Sequence, residues 1–96
     1  MSPKNKIKLN LLRKKIDKID LQLLQTIKKR TEIIKKVLLL KSNKNEVIDK
    51  KRISIILRRI KKESLRRNID PKITHRIWRN MIWSYINFEK KNFKRK

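Results

Sequence analysis

An all-α fold is expected: three helices, the first very long, completed by a second copy into an intertwined homodimer. Three observations predict it. The 96-residue chain holds no glycine and only two prolines, so tight turns and phosphate-cradling loops have little to build on. Its apolar residues recur at steps of three and four, the period of a helix and not of a strand. One such run is also too long for a chain of this size to cover by itself.

That run extends over about 7–42, without proline or glycine, and carries Leu9, Leu12, Ile16, Ile19, Leu23, Ile27, Ile34 and Val37 on one stripe. A helix of about 35 residues is roughly 52 Å long. A compact domain of this chain length has a radius of gyration of only about 12 Å. The helix therefore needs a partner, most simply another copy of itself. Ser42-Asn43-Lys44-Asn45-Glu46 is a polar break. A second helix follows over about 49–67, with Asp49 as its cap and Ile53, Ile56, Leu57 and Ile60 on one face. Asp70-Pro71 is a strong start signal for the third, over about 71–93, because a proline at the first helical position gives up no hydrogen bond. The whole of 1–96 is expected to act as one domain.

Several function classes are excluded. Without glycine there is no P-loop or dinucleotide fingerprint. Without cysteine there is no disulfide or thiolate chemistry, and the single histidine, His75, offers no metal cluster. No cofactor is expected. The opening MSPKNKIKLN lacks the apolar core of a signal peptide. No stretch approaches the roughly 18 apolar residues of a membrane span, so a cytoplasmic protein without membrane contact is expected. The net charge of +23 would suit a nucleic-acid binder. Yet the lysines are scattered end to end and travel with isoleucine and asparagine, a composition that AT-rich codons produce unaided. Nucleic acid is expected to bind only non-specifically.

The informative residues are charges in apolar places. Continued from Leu23 and Ile27, the buried stripe of the first helix meets Arg30, Ile34, Val37 and Lys41. Arg30 and Lys41 are 11 residues apart, about 16 Å along one face, from which two long cationic side chains can converge on a small anion. A buried cation without a partner costs several kcal/mol. Neutralisation by internal acids, or snorkelling to solvent, is the plainer alternative. On the third helix Trp78, Ile82, Ile86 and Phe93 form an apolar line, and Glu89 falls on it. Such a carboxyl group can stay neutral and donate a hydrogen bond, or simply pair with a lysine. Arg13 stands 17 residues before Arg30, about 25 Å away on the same helix, so the two can share a ligand only across a dimer. His75 is expected on the surface or partly packed. Trp78, Trp83 and Tyr85 suit core or dimer packing better than base stacking.

Together these residues resemble a family. LRKKIDKIDLQLLQTIKKR (Leu12 to Arg30), followed by Lys41, is similar to the opening helix of the all-helical chorismate mutases, with its leucine-arginine pair, isoleucine-aspartate repeat, closing arginine, and lysine eleven residues on. VIDKKRISIIL (Val47 to Leu57) resembles the family's second-helix motif, and IDPKITHRIWRNMIWSYINFEKKNF (Ile69 to Phe93) its third helix. The resemblance implies a dicarboxylate substrate, chorismate or isochorismate. It also implies roles: Arg13 reaching into the partner's site and Arg30 in its own chain's site for the carboxylates, Lys41 bridging a carboxylate and the ether oxygen, Arg52 in support, and Glu89 facing the ether oxygen. Asp49 and Tyr85 join the substrate-binding set. One position departs. The family commonly carries a glutamate directly after the second-helix arginine, where it takes the substrate's ring hydroxyl, and here that residue is Ile53. An apolar residue there is similar to the isochorismate pyruvate lyase branch of the fold.

Overall fold

The structure, a computed structural model, describes residues 1–94. Among them are three α-helices, α1 (Pro3–Leu40), α2 (Lys50–Arg66) and α3 (Pro71–Asn92), with a 3-10 turn at Lys44–Val47 between the first two. The fold is all-α, and its first helix is very long. By contacts the chain divides into two compact units, Met1–Lys36 and Val37–Lys96.

The first unit is helix almost throughout. α1 begins four residues before the periodic run, because Ser2 caps it: the Ser2 hydroxyl accepts from the Asn5 N–H at 3.2 Å, and Pro3 occupies the first helical position. The Thr26 and Thr31 hydroxyls bond back to the carbonyls of Gln22 and Ile27, at 3.1 and 2.8 Å. Such back-bonding lets a β-branched residue sit inside a helix. The apolar stripe is largely uncovered in the single chain. Leu12, Ile16, Ile19 and Leu23 are each between 54% and 57% exposed. Ile34 is half-buried. Between Leu12 and Leu23 the stripe is thus more than half open to solvent.

The second unit holds the core. Leu38, Val47, Ile82 and Ile86 are buried, and Ile48, Ile53, Ile56, Leu57 and Phe93 pack around them. The periodicity places Val37 on the stripe of α1, but Leu38 is the buried residue and Val37 is 43% exposed. Val37 is thus as open as Ile27 on the same stripe, while Leu38 turns to the core cluster. α2 and α3 pack together across a short connection, as antiparallel neighbours joined by few residues do. Asp49 caps α2, its Oδ1 accepting from the Arg52 N–H at 2.9 Å, and Asp70 caps α3 by accepting from the Lys72 N–H at 2.9 Å. Between the helices Ser64 and Thr74, both buried, share a hydrogen bond of 2.7 Å, and the Ser64 hydroxyl reaches the Ile60 carbonyl at 2.6 Å. The Thr74 hydroxyl also reaches the Pro71 carbonyl at 3.4 Å.

α2 ends in a Schellman motif built without glycine. The Ile69 N–H bonds the Ser64 carbonyl at 2.9 Å, the Asn68 N–H bonds that of Leu65 at 3.3 Å, and Asn68 takes the left-handed conformation with φ 56°. Asparagine is the residue after glycine that tolerates this best. In the last turn Glu63 pairs with Arg66 and Arg67, and the hydrogen bond from Arg67 holds its carboxyl below the ordinary value. Asn68→Val is expected to cost about 1–2 kcal/mol, and Asn68→Gly nothing, both read from urea unfolding midpoints. Equal losses in the two variants would show that the left-handed residue is not what ends the helix.

Candidate active site

Two of the misplaced charges meet. Lys41 is the first residue after α1, and Glu89 lies in the last turns of α3. Lys41 Nζ stands 3.3 Å from Glu89 Oε1 and 3.2 Å from Oε2, with the two side chains 18% and 8% exposed. Glu89 is therefore a buried carboxylate, one turn along the stripe from Ile86. The expectation of Glu89 on the apolar line is met, and the plainer alternative, pairing with a lysine, describes the chain without ligand. The pair also explains how a buried carboxylate is tolerated: both oxygens accept from one cation. An ammonium has three N–H donors. Two go to Glu89, and one remains for another acceptor.

Lys41 also lines an open cleft of about 680 Å³ with Glu46, Ile48, Asp49 and Lys50. That volume is within the range of small-molecule sites. Its wall is mixed in charge, two cations facing two carboxylates. Asp49 reaches it from the start of α2, with Oδ1 already engaged in capping. Arg52 is exposed one turn further along α2, and Tyr85 is half-buried on α3 one turn before Glu89. Ile53 is half-buried and packs on the core cluster. It is a packing residue, and a glutamate there would bring a charge to the edge of that cluster.

Arg13 and Arg30 belong to the first unit. Arg13 is exposed; Arg30 is half-buried, with its Nη1 shielded from solvent. Lying on one helix about 25 Å apart, they cannot grip one small ligand from a single chain. His75 is exposed and lines a separate groove of about 610 Å³ with Leu57, Arg58, Lys61, Pro71, Lys72 and Arg76. Among the described residues no helix is long and apolar enough to cross a membrane. Sequence reasoning missed Glu46, which stood only as part of the polar break. The Asn43-x-x-Glu46 spacing, that of a capping box, was the signal.

A family model described as chorismate mutase type II matches residues 12–90. The chain belongs to this family. No curated protein and no solved structure matches it. The match to the chorismate mutase model runs from Leu12 past Glu89, so it takes in Arg13, Arg30, Lys41, Asp49, Arg52, Tyr85 and Glu89 together with the departure at Ile53. Membership also gives the Lys41–Glu89 pair a chemical context, a fold that works on a small-molecule substrate.

Proposed function

We propose that this protein is a chorismate mutase that rearranges chorismate to prephenate, working as an intertwined homodimer in the cytoplasm, in aromatic amino acid biosynthesis. The observation that carries the reading is a buried lysine–glutamate pair on the edge of an open cleft, in a chain of this family. The reaction is a Claisen rearrangement. One C–O ether bond breaks as one C–C bond forms, and no proton or electron leaves the substrate. A nucleophile, a proton shuttle and a cofactor are all unnecessary.

Catalysis then has two parts. Holding the reactive conformer removes the entropic share of the barrier. Arg30, with Arg13 from the partner subunit, grips the two carboxylates, and Arg52, Asp49 and Tyr85 complete the binding set. Donors aimed at the ether oxygen stabilise the charge that develops as its bond breaks. Lys41 supplies one through its spare N–H. Glu89 supplies a second only when protonated, since an ionised carboxylate only accepts. In the free chain both Glu89 oxygens accept from Lys41. With donors aimed at the ether oxygen, the site complements the transition state more than the ground state.

A spectrophotometric assay of chorismate consumption, with prephenate identified, tests the reading; no turnover of chorismate rejects it. A second reading, isochorismate pyruvate lyase, is favoured by Ile53, which packs on the core where a hydroxyl acceptor would be needed. It requires salicylate and pyruvate from isochorismate. Glu89→Gln, a permanent donor, is expected to retain turnover, while Glu89→Leu, which cannot donate, should lose about 10²-fold. Equal losses in the two variants would reject Glu89 as a donor.

A further inference from the structure

We propose that Glu46 is a positioning residue that holds Lys41 and Asp49 in place along the cleft. Its kinetic consequence rests on the mutase reading; its structural consequence does not. The chain leaves α1 at Leu40 and enters α2 at Lys50 without a glycine between them. Something must take the N–H groups that the turn exposes. One oxygen does so. Glu46 Oε1 accepts from the Ser42 N–H at 3.2 Å, from the Asn43 N–H at 3.3 Å and from Asn43 Nδ2 at 3.1 Å. The Glu46 N–H returns to the Asn43 carbonyl at 3.2 Å. A charged acceptor makes such bonds stronger than a neutral one.

What these bonds connect is the substance of the inference. Val47, directly after Glu46, is 3% exposed in the cluster with Leu38, Ile82 and Ile86. Ser42, at the other end of the carboxylate's reach, directly follows Lys41. Glu46 thus ties the backbone beside Lys41 to a residue anchored in the core. Asp49, two residues past Val47, inherits the same anchor. Lys41, Glu46 and Asp49 all line the one cleft. No hydrogen bond joins Glu46 to Lys41 among those of the described residues, so its influence passes through the turn.

The test compares Glu46→Ala and Glu46→Gln with the wild type, by amide exchange in the free protein and by steady-state kinetics. In Glu46→Ala the Ser42 and Asn43 amides are expected to exchange at least about tenfold faster as their bonds open, with Ile82 and Ile86 unchanged. A donor displaced by about 1 Å costs up to about a hundredfold, so kcat should fall by about ten- to a hundredfold, with a smaller rise in KM as Asp49 shifts too. Glu46→Gln keeps an acceptor oxygen, and should lose only a few-fold on both measures. Exchange that does not change at Ser42 and Asn43 overturns the proposal. So does faster exchange with an unaltered kcat in an active enzyme, because Lys41 is then held by something else. Should the alanine variant not fold, the glutamine variant decides by the same two readouts. If the wild type does not turn over chorismate, the mutase reading fails, and the exchange data alone decide the structural role.

Discussion

Lys41→Met is expected to lower turnover of chorismate by about 10²- to 10³-fold, the usual cost of removing one donor to a developing oxyanion. The same change strands Glu89, which is 6% exposed, as a buried carboxylate without its cation. Breaking a buried pair from one side costs about 3 kcal/mol or somewhat more, so the urea midpoint should fall as well. These two losses separate in the double variant Lys41→Met with Glu89→Leu. Apolar replacement of both partners leaves no stranded charge and restores much of the stability. Activity does not return, because both donors to the ether oxygen are gone. A Lys41→Met protein within about threefold of the wild-type kcat would remove the transition-state role, since a lost oxyanion donor never costs so little.

Subunit complementation is the second large effect. Arg13→Ala and Arg30→Ala should each lose about 10²-fold or more in kcat/KM, because each leaves one substrate carboxylate without its charged, forked partner. If Arg13 is donated across the dimer, a heterodimer of the two variants carries one site with both arginines intact and one with neither. Random reassortment makes half of the dimers mixed, so about one quarter of the wild-type activity should return. Variants must be unfolded and refolded together, or coexpressed, for the subunits to exchange. The physical ground for the dimer lies in α1. The part of it within the first unit is about 50 Å long at 1.5 Å per residue, and Leu12, Ile16, Ile19 and Leu23 along it are more than half exposed in the single chain. Activity that stays at the level of the separate variants after mixing would place Arg13 outside the site.

Lys41, Glu89 and Arg30 stand out by periodicity, whereas Arg13 enters through its distance from Arg30 and the family resemblance. A charge that recurs in phase with an apolar stripe must be desolvated in part, and that cost is visible without coordinates. Lys41 and Glu89 were legible for this reason, as was Arg30. The caps at Asp49 and Asp70 were legible too, because an acceptor side chain before a helix has one favourable use. Ser2-Pro3 carries the same kind of signal, and α1 starts there, earlier than its apolar stripe.

Other features depended on how the elements pack. Periodicity places Val37 on the stripe, but that Leu38 beside it turns to the core follows only from the packing of the second unit. The meeting of Lys41 with Glu89 joins residues 48 positions apart, and only the packing of the second unit brings them within hydrogen-bond range. Glu46 is an exposed residue in a polar segment, and its threefold role as acceptor comes from the path of the turn. Sequence by itself determined the helices, their caps and which charges stand on apolar faces, because those follow from local geometry and hydrophobic period. Tertiary structure decided which charges pair and what holds them in place, because such contacts depend on distances that no local period encodes.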